Sequence, residues 1–188
     1  MDPIQTLMNE HRVIERVLTA MERRLAGLKR ESFPIEFFEQ ALDFFRTYAD
    51  ACHHFKEEDT LFPAMNAKGF PMEAGPIGMM RYEHQVGRSH LAGIRANLKG
   101  AANGDTEALT AVRDHAFAYI QLLREHIQKE DNVLFQMALN ALDAADFERL
   151  DRIFSDESNE KINRSLHERY EAIAADLERA SLPEPVNH

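Results

Sequence analysis

Nine histidines stand in a chain with one cysteine and no tryptophan, and several are spaced as metal ligands would be. His53 precedes Glu57 by four residues, and His126 precedes Glu130 by the same interval. On a helix such a pair stands one above the other, so both side chains can reach one cation or two neighbouring ones. The two pairs belong to an internal repeat. His53-His54-Phe55-Lys56-Glu57-Glu58-Asp59-Thr60-Leu61-Phe62 aligns without gaps to His126-Ile127-Gln128-Lys129-Glu130-Asp131-Asn132-Val133-Leu134-Phe135. One His-x3-Glu pair by itself is more often a surface pair or a local hydrogen bond. Two repeated pairs, joined by His11 and His84 elsewhere, require a shared explanation.

The elements that position these residues are long helices. Asp2 followed by Pro3 reads as an N-cap with proline at the first helical position. Ile4, Leu7, His11, Ile14, Leu18, Met21, Leu25 and Leu28 then follow steps of three and four, a helical seam to about Leu28. A second helix is expected from about Pro34 to Met65. The stretch from Lys68 through Gly75-Pro76 reads as a loop, and the third helix runs on to about Lys99. Gly100 to Gly104 breaks that helix, and Asp105 caps a fourth reaching about Leu142. Phe147, Leu150, Ile153 and Phe154 mark a short amphipathic helix. Ile162, Leu166, Tyr170, Ile173 and Leu177 mark another, before Pro183 and Pro185 end the fold. No period-two run supports a strand. The expected fold is all-α: an up-and-down four-helix bundle over residues 1–142, with two additional C-terminal helices in an extension over 143–188. That extension is expected to pack on the bundle or, as the second reading, to form a homodimer contact.

Ionisable residues interrupt the seams. The third helix reads Ile77, Met80, His84, Gly87, Leu91, Ile94, Leu98; the fourth reads Leu109, Val112, Ala116, Tyr119, Leu123, His126, Glu130, Val133, Met137. In the second helix the row Ala41, Phe45, Ala49, His53, Glu57, Leu61, Met65 is otherwise apolar. The parallel row through His54 carries Arg46, Asp50, Glu58 and Asn66, so His53 and Glu57 are expected to face the core. An isolated buried carboxylate costs several kcal/mol unless paired or bound to metal. A binuclear site accounts for the two carboxylates and four imidazoles together, and this donor set suits iron, manganese or zinc better than calcium or an iron–sulfur cluster.

The set resembles the hemerythrin-like family, the HHE cation-binding domain. That family places a His on helix one, His-x3-Glu on helix two, a His on helix three and His-x3-Glu on helix four. The matching segments are Asn9-Glu10-His11, His53 to Glu57 before Leu61-Phe62-Pro63, Tyr82-Glu83-His84, and His126 to Glu130 before Leu134-Phe135. The resemblance covers about residues 4–142. It implies two non-haem iron ions with an oxo or hydroxo bridge, Glu57 and Glu130 as bridging carboxylates, and His11, His53, His84 and His126 as terminal ligands. Zinc and manganese are the alternative metals. Oxygen-carrying members have a further His four residues after the third-helix ligand; here that position is Arg88, with Gly87 beside it.

The implied function is a di-iron protein binding or reacting with O₂, peroxide or nitric oxide. The residues leave open whether it is an enzyme or a carrier. Alternatives are a metal- or redox-sensing interaction module, and iron handling or iron–sulfur repair; the last is less expected, because repair members carry a Cys-containing N-terminal segment. With 22 Lys+Arg against 32 Asp+Glu the net charge is −10, which argues against nucleic acid as a partner. No run approaches the roughly 18 apolar residues of a membrane span. No secretory signal is evident, and the lone Cys52 suits a reducing cytoplasm. Cys52 itself reads as packing. Glu10, Glu83 and Asp131 are placed to orient imidazoles. His115 and Tyr119 lie roughly 16 and 10 Å from the His126 level along the helix axis and read as polar core residues. His54, His90, His167 and His188 are expected to be solvated.

Overall fold

A computed structural model describes residues 2–28 and 32–182 of the chain, whose regular structure is all helix, with no strand among them. Helix α1 spans Pro3–Ala26 and α2 spans 35–67. Helix α3 spans Gly75–Ala102, α4 spans 106–141, α5 spans Ala144–Phe154 and α6 spans Arg164–Ala180. The N-termini are capped as the sequence suggests. Asp2 accepts from the Ile4 amide at 2.9 Å, and Asp105 accepts from Glu107 at 2.9 Å. Asp143 and Asp146 form a reciprocal capping box on α5, and Asn163 accepts from Leu166 at 2.9 Å to start α6. The boundaries differ from the sequence reading by one to three residues, the largest shift being α3, which continues to Ala102. Pro183, Pro185 and His188 lie outside the described residues.

Two rods are not pure α-helix. In α2 the stretches Phe45–His54 and Glu57–Leu61 are π-helical, and in α4 the stretch Glu130–Leu134 is π-helical. This winding has a cause legible in α2. In an α-helix each step of four residues advances about 40° around the axis, so a row of six such steps would wander roughly 240°. The row from Ala41 to Met65 nevertheless stays wholly buried. Underwinding to i→i+5 hydrogen bonds fits more residues into a turn and keeps the row on one face. In α4 the same device moves the seam. Val133, expected to face inward, is 51 % exposed, while Leu134 is 1 % exposed. Met137 is only partly buried, and Phe135 and Ala138 take the inner positions instead.

The apolar core is divided in two. One cluster takes Ile14 to Leu25 from α1, Phe37 to Ala49 from α2, Ile94 to Ala101 from α3 and Ala108 to Ile127 from α4. The other takes Ile4 and Leu7 from α1, Leu61 to Met65 from α2, Ile77 and Met80 from α3, Leu134 to Ala138 from α4, and Leu142 just beyond it. Helices α1 and α3 therefore begin in the second cluster and end in the first, and α2 and α4 run the other way. Helix α6 adds Tyr170, Ala174 and Leu177 to the first cluster, and α5 adds Leu150 and Phe154 to the second. No helix among the described residues is long and apolar enough to cross a membrane.

Candidate metal centre

The gap between the two apolar clusters is filled by one polar layer. His11, His53, His84, His126, Glu57 and Glu130 all enter it, and none is more than 2 % exposed. Each helix reaches the layer where its apolar seam is interrupted: after Leu7 on α1, after Ala49 on α2, after Met80 on α3 and after Leu123 on α4. Donor atoms from His11, His53, Glu57 and Glu130 lie within 4.8 Å of one another, and so do donor atoms from His54, Glu57, His84 and His126.

The two carboxylates span both groups. Glu57 Oε1 is 3.5 Å from His53 Nε2, and its Oε2 is 3.6 Å from His84 Nε2. Glu130 Oε2 is 3.2 Å from His11 Nε2, and its Oε1 is 3.1 Å from His126 Nε2. Yet all four of these oxygens, together with His11 Nε2 and His53 Nε2, are buried without a hydrogen-bond partner. An unsatisfied buried group costs about 1–3 kcal/mol. Six such atoms converging on one spot fit a cation far better than they fit one another.

The far sides of the imidazoles make the same point. His11 Nδ1 meets Asp131 at 2.7 Å, His53 Nδ1 meets Glu10 at 2.9 Å, and His126 Nδ1 meets Glu83 at 2.9 Å. His84 Nδ1 meets Glu58 at 2.6 Å. A carboxylate can only accept, so each Nδ1 carries a proton, and each Nε2 faces inward, where a metal ion can take the lone pair once any proton on it is displaced. His84 Nε2 and His126 Nε2 stand 3.0 Å apart. Two facing lone pairs repel unless a proton or a metal ion joins them. The ion pairs of Lys56 with Glu10 and of Lys129 with Glu83 hold two of the orienting carboxylates in turn.

Electrostatics in the layer are set by burial and by this pairing. Burial pushes the Glu130 carboxyl up, but His126 and His11 outweigh it and hold it well below the ordinary carboxylate range. Burial pushes His53 down, and Glu57 and Glu10 overcome that and raise it to about 10. His126 rises to about 9 against burial, mainly through Glu130. Glu10 falls to about 2, because Lys56 and His53 together exceed its desolvation.

Several residues differ from the sequence reading. His54 is not solvated: it is 6 % exposed, bonds Asp50 at 3.2 Å through Nδ1, and stacks on His84 with ring centroids 3.7 Å apart. Underwinding in α2 widens the inward arc, so adjacent residues 53 and 54 both turn in. His167 is only partly exposed and lies 3.3 Å from Cys52 Sγ and 3.1 Å from Lys56 Nζ. Burial pushes the Cys52 thiol up to about 12, in keeping with packing rather than reactivity. His90 pairs with His115 at 3.2 Å, away from the centre. Arg88 bonds Asp50 at 2.7 Å and Glu58 at 2.8 Å, so it holds the carboxylates behind His54 and His84. Asp50, Glu58 and Lys56 were invisible as orienting groups in the sequence; only their four-residue spacing to His54, Phe62 and Cys52 on α2 placed them nearby. Tyr119 is buried, packs edge-on against Phe45, and with Gly87, Arg88, His54, His84 and His126 lines a small pocket beside the layer.

Comparison with known proteins places the chain in a cation-binding family. The family described as hemerythrin HHE cation binding domain matches residues 2–138. Uncharacterized proteins of Mycobacterium bovis and Mycobacterium tuberculosis are 24 % identical over 177 residues, covering 94 % of this chain and 69 % of theirs. No solved structure matches the chain significantly.

Proposed function

The chain belongs to the hemerythrin HHE cation-binding family, and from that premise we propose that it is a non-haem di-iron protein whose centre binds or reacts with O₂, peroxide or nitric oxide. The observation that carries this reading is the convergence of six unpartnered buried donor atoms on one layer, behind imidazoles already fixed in the metal-binding tautomer. His11 and His53 would hold one ion, His84 and His126 the other, with Glu57 and Glu130 shared between them. Bound iron would supply exchangeable coordination positions and one-electron chemistry toward such ligands.

The chain's own residues define what can approach. The pocket beside His84 and His126 has a volume of about 10 Å³, the space of roughly one water-sized sphere. Gly87 forms part of its wall, and a Cβ there would touch the Tyr119 ring at 3.4 Å. A space so small favours the smallest ligands over a larger substrate. Arg88 at its edge cannot ligate, because its guanidinium stays protonated.

In this reading residues 1–142 form an up-and-down four-helix bundle of hemerythrin type and residues 143–188 an extension. The alternating membership of α1 to α4 in the two apolar clusters supports that layout. One buried cysteine and the redox chemistry of iron suit a reducing cytoplasm. A metal-sensing module is a second reading, favoured by one contact: His167 on α6 touches Lys56, which pairs with Glu10, the partner of His53. The direct test is anaerobic loading with Fe(II) followed by metal analysis and absorption spectra before and after O₂, peroxide or nitric oxide. About two irons per chain and a ligand-dependent spectrum are expected. Failure to retain iron would overturn the proposal.

A further inference from the structure

We propose that α6 latches one half of the metal centre. His167 is a positioning residue that holds Lys56 on Glu10, the carboxylate behind His53, so that an ion at His11 and His53 leaves more slowly than one at His84 and His126. This rests on the binuclear reading above. It adds a residue from outside the segment 2–138 that the family matches.

The chain supplies its own control, because the two halves of the centre are built alike. In each, a lysine three residues after a ligand histidine pairs with the glutamate that bonds that same histidine. Lys56 pairs with Glu10, which meets His53 Nδ1 at 2.9 Å, and Lys129 pairs with Glu83, which meets His126 Nδ1 at 2.9 Å. The other two arms also match, since Arg12 holds Asp131 behind His11 and Arg88 holds Glu58 behind His84. The lysines differ. Lys129 is 42 % exposed and, among the described residues, bonds Glu83 alone. Lys56 is 1 % exposed.

The Lys56 ammonium has three N–H donors and three acceptors around it: Glu10, Cys52 Sγ at 3.6 Å and His167 Nε2 at 3.1 Å. The Phe154 ring of α5 covers it, with the centroid 5.7 Å from Nζ. An exposed pair is screened by water and comes apart readily, so it fixes little. A buried ammonium has no water to turn to and stays on Glu10 while its other acceptors remain. Of the three acceptors, only His167 comes from the C-terminal extension. An imidazole leaves a metal ion by turning its ring, and a carboxylate fixed on Nδ1 opposes that turn.

The competing role for His167 is packing. Its ring meets Tyr48 edge-on with centroids 5.4 Å apart, and a buried lysine needs acceptors whatever its neighbours do. Packing alone would make His167 matter to the fold without favouring either metal position.

Two substitutions separate these roles. His167→Phe keeps a ring against Tyr48 and removes the acceptor. His167→Gln gives up the ring and carries an amide oxygen to accept from Lys56. The full chain is loaded with Co(II) and mixed with excess chelator, and visible absorption follows metal release. Wild type is expected to release its ions in a fast and a slow phase. His167→Phe is expected to speed the slow phase by at least about tenfold and leave the fast one unchanged, while His167→Gln stays near wild type. A single phase in wild type, or equal acceleration of both phases in His167→Phe, would overturn the proposal. So would a slow phase lost as fully in His167→Gln as in His167→Phe, which would assign the effect to packing. Coupling is reciprocal, so the first Co(II) bound should also slow amide hydrogen exchange along Arg164–Ala180 of the wild-type chain. That measurement decides alone should the variants fail to fold, and local opening of α6 that ignores the metal would sink the latch. A wild-type chain that binds no Co(II), or a single ion, would overturn the binuclear reading itself, a result distinct from those above.

Discussion

Glu57 and Glu130 each turn one oxygen toward the His11/His53 side of the layer and the other toward the His84/His126 side. Loss of either carboxylate therefore weakens both metal positions, whereas loss of one histidine weakens one. Glu130→Ala is expected to leave less than half of the wild-type metal content, and His53→Ala and His126→Ala to lose amounts equal to each other and smaller than that loss, as read by metal analysis after gel filtration. Retention of two ions in Glu130→Ala would exclude the bridging role. The histidines also set a pH dependence. His53 at about 10 and His126 at about 9 stand above the ordinary imidazole value of 6.5. Without metal their protonation stabilises the fold fully below about pH 6.5, and that contribution is lost as pH rises through 9 to 10. A metal ion must expel the same protons to bind. The metal-free protein is expected to lose stability to urea between pH 6.5 and 10 while the loaded protein does not follow it. Metal added in weak buffer at pH 7 should acidify the solution, and uptake without proton release would contradict these assignments.

Helix winding decides which residues of α2 and α4 reach the layer. The π-helical stretch Glu130–Leu134 begins at Glu130, one turn after His126, which stands 3.1 Å from it, and shifts the apolar seam beyond by one residue. This gives a sharp contrast between two adjacent side chains. Leu134→Ala removes a fully buried side chain next to the centre and is expected to cost about 2–5 kcal/mol. Val133→Ala, at 51 % exposure, is expected to change stability by no more than about 0.5 kcal/mol. Urea unfolding of the two variants measures both. Equal effects would mean that α4 keeps regular α-winding through the metal layer. On α2 the same underwinding brings both His53 and His54 inward.

Across the whole molecule, a polar layer separates two apolar clusters that would otherwise form one continuous core. The layer is stabilising only when its inward-facing donors are satisfied, so metal and fold are linked. With free metal at a hundred times its dissociation constant the linkage is worth about 2.7 kcal/mol. For a chain of this size that raises Tm by roughly 5–10 °C. Calorimetry with and without a chelator at neutral pH checks this, and the difference should shrink at acid pH, where protons replace metal on the histidines. Identical melting temperatures at neutral pH would show that the layer is satisfied without metal. The outer contacts of the layer reach the C-terminal helix. His167 on α6 meets the Lys56–Glu10 pair that orients His53, and Arg16 on α1 bonds Glu178 on α6 at 2.9 Å.

Much of this protein follows from local rules. Helix positions, caps at Asp2 and Asp105, and the replacement of seam residues by His11, His84, His126 and Glu130 are consequences of spacing along the chain. The helical period fixes which side chains share a face before any tertiary contact forms. The four-residue row on α2 marks its inward residues, but the looser winding that keeps that row on one side is visible only in the fold. Three features required the folded molecule. Inward rotation of His54, the one-residue seam shift at Val133 and Leu134, and the pairing of Glu58, Asp50 and Arg88 across α2 and α3 all depend on how many residues fill a turn once neighbouring helices compete for the interior. His167 reaches Cys52, Lys56 and Glu10 from more than a hundred residues away. Periodicity says which way a side chain points from its own helix; it does not say which helix stands opposite.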